Sequence, residues 1–223
     1  LAADLFNDRD LQQACDSRQV DSRYETLAEL AARVRPEFWM YTGAMENHPR
    51  TVARAIDLFR RAALDFIDRQ IEAGAHCIGI GDAVCSQIGP EFYAQYGFPG
   101  EKNIVDFIHS RGALAKLHIC GDATAILPMM IKTGADIIDI DHAITEMDCF
   151  APLLSENQVF SGNSDPVSVI QDGSEKSITE SVRKASQASG GRCIISAGCE
   201  ITPDTSIQNL MVLRDTTRNV GKV

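Results

Sequence analysis

The chain lacks the marks of a nucleic-acid or membrane protein. Its 223 residues include no basic run and no basic patch interleaved with aromatics; aromatics make up 6% and the formal net charge is −10. A surface of that sign repels phosphate backbones and anionic lipid headgroups. No apolar stretch approaches the roughly 20 residues that span a bilayer, and no signal-peptide pattern opens the chain. A disulfide framework is also missing: the seven cysteines are odd in number and follow no spacing of a small secreted module. Cys77, Cys85, Cys120, Cys193 and Cys199 lie in or just beyond apolar runs, which predicts thiols that are free or metal-bound in a reducing cytoplasm.

An ordinary globular composition is present, 44% apolar and 23% charged. The length predicts a single domain over 1–223. From about residue 50, helical and strand patterns alternate. Asn47 and Pro49 open a helix in which Val52, Ile56, Phe59, Ala63, Phe66, Ile67 and Ile71 recur at three- and four-residue steps until Gly74. Strands are expected at Cys77–Ile80, Ala113–Ile119, Asp136–Ile140, Gln158–Ser161 and Arg192–Ala197, with Phe38–Tyr41 as a sixth. Helices are expected at 101–111, at 124–133 with Pro128 in the first turn, near 147–156, and after a Ser174 cap. Thr205-x-x-Gln208 is a capping-box pattern for the last helix, and Tyr24–Val34 also reads as helical. Alternation at this spacing means a parallel sheet with helical crossovers. A doubly wound sheet could use six strands, whereas a (β/α)8 barrel needs eight and about 250 residues. Since the chain starts at Leu1 rather than Met, the barrel reading expects the first β/α units to lie outside it.

His118-Ile119-Cys120 carries the most chemical information. Residues two apart on a strand share a face, so an imidazole and a thiol project side by side. Cys199, in Ser196-Ala197-Gly198-Cys199, supplies a second thiol. One nitrogen and two sulfurs form three corners of a tetrahedral zinc site with the fourth open, the arrangement of a catalytic ion rather than a structural one. Read one by one, the same residues are equally a packed histidine and two small core cysteines. The ends of the other strands count against that: Gly81-Asp82, Gly121-Asp122, Asp139-x-Asp141-His142, Gly162-Asn163-Ser164-Asp165-Pro166 and Gly198-Cys199-Glu200 all place polar or glycine residues on the edge where α/β enzymes put their chemistry. Asp122 reads chiefly as a cap and Asp165 as a turn opener.

The runs His118-Ile-Cys-Gly-Asp-Ala-Thr-Ala-Ile-Leu-Pro128, Thr133-Gly-Ala-Asp-Ile-Ile-Asp-Ile-Asp141, Gly162-Asn-Ser-Asp-Pro166 and Gly198-Cys-Glu-Ile-Thr-Pro-Asp-Thr205 together resemble the uroporphyrinogen decarboxylase superfamily. Within it they are most similar to the zinc-dependent methylcobamide:coenzyme M methyltransferases. The similarity implies a (β/α)8 barrel of which this chain is the C-terminal two-thirds. It implies zinc on His118, Cys120 and Cys199, a methyl donor in the form of a methylcorrinoid on a separate corrinoid protein, and a small thiol acceptor such as coenzyme M. Cobalamin-independent methionine synthase, a related barrel, carries a glutamate ligand that falls on Asp141 here, so Asp141 is the candidate fourth, displaceable ligand; it is equally a charged lining residue. Cys85 is the runner-up ligand, and His142 and Glu200 are expected to point elsewhere. Asp82, Ser86, Asn163 and Asp165 would line the mouth and bind substrate. Two thiolates cancel the double charge of the ion, so the site suits making a thiolate nucleophile better than making hydroxide. The alternative is a metal-free decarboxylase of a tetrapyrrole: the true decarboxylases resemble this chain at Gly162-Asn163-x-Asp165-Pro166 but do not carry the His-x-Cys or the later Cys.

Overall fold

The computed structural model describes residues 41–220, with side chains from Ala44. The chain divides into two compact units, residues 1–66 and 67–223. The first contains α1 (Tyr41–Asn47) and most of α2 (Pro49–Glu72). Pro49 occupies the first turn, where a missing N–H does no harm, and Gly74, at φ +100°, closes the chain after α2 as expected. Phe59 and Phe66, on the periodic face, are each 63% exposed. Tyr41 is helical, against the expected strand at Phe38–Tyr41. The remainder of that segment and Tyr24–Val34 lie outside the described residues.

The second unit is a five-stranded parallel sheet in the order β1-β2-β3-β4-β5. Its strands are β1 (Cys77–Gly81), β2 (Leu114–Ile119), β3 (Ile137–Ile140), β4 (Val159–Ser164) and β5 (Cys193–Ala197). Between them run α3 (Gly89–Phe92), α4 (Phe98–Ser110), α5 (Leu127–Lys132), α6 (Met147–Phe150) and α7 (Glu175–Ala188), and α8 (Ile207–Val220) follows β5. All five expected strands form. Each is followed by helix, so the described residues make up consecutive β/α units of a barrel whose closed form has eight. No helix among the described residues is long and apolar enough to cross a membrane.

Strand alternation splits the sheet into two faces. Ile78, Ala115, Leu117, Ile138, Ile140 and Phe160 point towards the helices and are 5% exposed or less. A second apolar cluster, Ile170, Ile178, Val182, Ala197 and Leu213, seats α7 and α8 against β5. The opposite face carries Gly79, Gly81, Lys116, His118 and Asp139, aligned by the register pairs Gly79↔Lys116, Gly81↔His118 and His118↔Asp139.

Several boundaries move for local reasons. The helix expected at 124–133 begins only at Leu127, because Asp122 first accepts the Thr124 N–H in a turn. The one expected near 147–156 tightens into a 3₁₀ turn at Ala151–Leu153, around Pro152. The last helix is capped one residue later than the Thr205 pattern proposes: Ser206 Oγ accepts the Asn209 N–H at 3.1 Å. Ser174 caps α7 as expected, accepting from Ser177 N.

Candidate metal centre

His118 lies at the penultimate position of β2, Cys120 one residue past its end, and Cys199 two past the end of β5. Strands are spaced about 4.8 Å apart, so a flat sheet would hold β2 and β5 about 14 Å from each other. Cys120 Sγ and Cys199 Sγ are nevertheless 3.7 Å apart. The sheet therefore curls, and its inner face becomes the wall of a cavity of about 590 Å³ lined from β1, β2, β3 and β5. Gly198 permits the approach: a Cβ there would sit 2.3 Å from His142 N, so only glycine lets the end of β5 press against the end of β3.

His118 Nε2 is 3.0 Å from Cys120 Sγ, and the three donor atoms of His118, Cys120 and Cys199 lie within 4.8 Å of one another. Tetrahedral zinc with Zn–S of about 2.3 Å has a sulfur–sulfur edge of about 3.8 Å, which the sulfur pair matches. The ring is turned the right way for a ligand. Its Nδ1 faces Asp139, 3.1 Å from Oδ2 and 3.2 Å from the backbone oxygen, leaving Nε2 towards the sulfurs. Lys116 Nζ joins the same carboxylate oxygen at 2.9 Å. A carboxylate behind a histidine fixes its tautomer and raises its basicity as a ligand. Asp139 is the site residue that sequence reasoning passed over.

The electrostatics are asymmetric. The Asp139 hydrogen bond pushes His118 up to about 9 against the pull of burial. Burial, then the neighbouring Cys199, pushes Cys120 up to about 11. Burial raises Cys199 as well, but the Glu200 amide and His118 outweigh it and leave that thiol below its ordinary range. Nitrogen and two sulfurs so arranged fit zinc by donor type.

The other expected site residues fall around this centre rather than in it. Asp141 does not join the cluster: Oδ2 accepts the Gly121 N–H at 2.9 Å, while Oδ1 accepts the Ala143 N–H at 3.0 Å and meets His142 Nδ1 at 2.8 Å. Its carboxylate shapes the turn after Cys120. Asn163 and Asp165 line a separate cavity of about 230 Å³ with His142 and Lys184. Asn163 donates to the Ile144 carbonyl at 2.6 Å, and Asp165 caps the turn Pro166–Gln171 by accepting from Val167 N and Ser168 N. Ser86 Oγ donates to the Ala83 carbonyl at 3.0 Å. Asp82 and Cys85 form a different group with Glu101. Glu200 lines the larger cavity, against the expectation from strand direction, because it lies beyond β5 where alternation lapses.

The family model for uroporphyrinogen decarboxylase matches residues 29–220. The chain belongs to the uroporphyrinogen decarboxylase family. Relatives of two kinds are similar to it. The methylcobamide:CoM methyltransferase MtbA of Methanosarcina mazei is 29% identical over 192 residues, 85% of this chain and 55% of that protein. A uroporphyrinogen decarboxylase of Prochlorococcus marinus is 30% identical over 181 residues, 79% of this chain and 50% of that protein. The chain thus spans about half the length of the curated relatives it matches. A solved methyltransferase from Methanosarcina mazei shares the fold at a TM-score of 0.73 with 22% identity, covering 86% of this chain and 56% of its own.

Proposed function

We propose that this member of the uroporphyrinogen decarboxylase family is a zinc-dependent methyltransferase that moves a methyl group from a methylated corrinoid, carried by a partner protein, to a small thiol such as coenzyme M. The observation that carries the reading is the convergence of His118 Nε2, Cys120 Sγ and Cys199 Sγ within 4.8 Å on the inner face of the curled sheet. His118, Cys120 and Cys199 would hold the ion. Zinc so held would lower the pKa of an incoming thiol enough for its proton to pass to solvent, while leaving the sulfur electron-rich.

The chain's own groups do the rest. Asp139 holds the Nδ1 proton of His118, so Nε2 is the nitrogen that gives its lone pair once its own proton has been displaced. Lys116 neutralises Asp139 and keeps the carboxylate in place. Asp141 fixes the Gly121 amide and with it the direction of Cys120. Gly79 and Gly81, without side chains, leave the β1 side of the cavity open for a small acceptor. The similarity to MtbA of Methanosarcina mazei supports the choice of reaction, since its name joins a methylcobamide donor to a CoM acceptor.

The test is demethylation of free methylcobalamin by the zinc-loaded chain with a panel of thiols. The Co–CH₃ absorption should be lost with coenzyme M or another small thiol, and Cys120→Ala should lose both the zinc of the His118 centre and activity. Full activity of Cys120→Ala, or turnover independent of the thiol, rejects the reading.

A further inference from the structure

A second group of donors lies behind the turn that follows β1. Asp82, Cys85 and Glu101 each place a ligand atom within 4.8 Å of the others. Asp82 precedes and Cys85 lies within the short 3₁₀ segment Ala83–Ser86 after β1, and Glu101 belongs to the first turn of α4. Cys85 and Glu101 are each only 3% exposed. Glu101 Oε2 accepts the Tyr93 hydroxyl at 2.5 Å, but Oε1 is buried with no hydrogen-bond partner. A buried thiol and a buried carboxylate are thus gathered with the half-buried carboxylate of Asp82, and the groups that act on them are one another and Tyr93, with no cation among the described residues. Burial holds all three above their ordinary values, because charge buried without a counter-charge is strongly unfavourable, and a cation bound among them would relieve that cost. The backbone is shaped to this arrangement as well: the helical run Tyr93–Gly97 widens into a π turn, and a Cβ on Gly97 would stand 2.7 Å from Cys85 Sγ.

We propose that Asp82, Cys85 and Glu101 form a second metal site, for a divalent cation of zinc's class, distinct from the His118 centre. The donor set selects that class. Magnesium and calcium take all-oxygen shells and reject a buried thiolate, while carboxylates disfavour monovalent copper. Tyr93 supplies the outer partner that orients Glu101. Cys85 and Glu101 are closed to solvent, so the role is structural. The ion would tie the turn after β1 to α4, beside Gly121, where a Cβ would lie 3.4 Å from Ser86 Oγ. Asp82 N also donates to the His118 carbonyl at 3.0 Å, so the tie steadies the strand end that carries the first centre.

The test strips the purified chain with a chelator and titrates it with zinc alone, then with cobalt(II). The parent, Cys85→Ser, Glu101→Gln and the double variant Cys120→Ala/Cys199→Ala are compared, with circular dichroism as the fold control. Cys85→Ser should take up one equivalent less than the parent, and Glu101→Gln, close in shape and still an acceptor for Tyr93, should bind that equivalent at least tenfold more weakly. The double variant should keep it and show thiolate-to-cobalt absorption that further replacement of Cys85 removes. Equal uptake and affinity in the parent, Cys85→Ser and Glu101→Gln overturn the proposal, whatever the double variant does, so failure of the second site is distinguishable from failure of the first.

Discussion

Asp139→Asn separates two effects that act on the same ring with opposite sign. The substitution keeps the shape of the side chain and removes its charge. Loss of the carboxylate partner behind a metal-ligating histidine lowers metal affinity by about 10- to 100-fold, or about 1.4–2.7 kcal/mol. Against that, the Asp139 hydrogen bond holds His118 at about 9 rather than 6.5, so the parent ring is protonated at neutral pH. At pH 7 an incoming ion must displace a proton held about two pH units above ambient, a cost of about 2.7 kcal/mol. In the variant the ring returns towards its ordinary value and most of this competition disappears.

The sign follows from the direction of the shift. A base raised to about 9 loses apparent zinc affinity about tenfold per pH unit below that point, whereas a ring near 6.5 adds no such slope until the pH falls below it. The variant should therefore bind zinc about 10- to 100-fold more weakly than the parent near pH 9.5, and the gap should close towards pH 7. In the metal-free chain the same pair contributes stability that is present below about 6.5 and is lost as pH rises through about 9. Competition against a chromophoric chelator from about pH 6.5 to 9.5 measures the affinities directly. Equal affinity of the two proteins at the alkaline end, or a gap that does not change with pH, would falsify the assignment of Asp139 to the ring.

Cys199→Ala should empty the His118 centre as completely as Cys120→Ala, read as the loss of one equivalent of zinc after gel filtration. Gly198→Ala drives a Cβ to 2.3 Å from His142 N, so it should destabilise the fold by at least about 2 kcal/mol in urea and loosen zinc as well. Phe160→Ala, at a fully buried position on the helix-facing side of β4, should cost about 3–5 kcal/mol in the same assay. Ser174→Ala removes the acceptor for Ser177 N at the start of α7 and should cost about 1 kcal/mol, with no change in zinc binding.

The strands were legible because each is a short apolar run between glycines or turn residues, too short for a helix. The ligands were legible for a related reason: His118 and Cys120 obey the two-residue rule of a strand face. Asp139 was not, although it sits in an acidic run that drew notice. Its role comes from the register His118↔Asp139, and the pairing of one strand with the next is not written in either strand alone. Asp139 and Asp141 share a face, being two apart, so the pattern could not say which carboxylate reaches the ring and which the Gly121 amide. Cys85 was misplaced for a similar reason: its partner Glu101 lies on a helix beyond a π turn, and a single widened turn leaves no period to read. Glu200 departed from strand parity because it follows the strand instead of belonging to it.

Identity does not separate the two kinds of relative, which match at 29% and 30%. Charge inside the cavity separates them better. A tetrapyrrole decarboxylase must hold several substrate carboxylates, each needing a cation or a set of donors in a partly desolvated space. Among the described residues the larger cavity is lined by Lys116 and His118 as its basic residues, and both are already engaged by Asp139, at 2.9 Å and 3.1 Å. Glu200 on the same wall adds a negative charge. A polycarboxylate entering there would meet paired cations and the Glu200 side chain with several charges at once, while a small thiol brings at most one, the sulfonate in the case of coenzyme M, and meets two sulfurs and an imidazole aimed at one point. The balance of charge therefore favours the thiol. Porphyrinogen binding by the metal-free chain, followed by its ultraviolet absorption, should be undetectable at substrate concentrations that saturate a decarboxylase, and tight binding there would return the decarboxylase reading to first place.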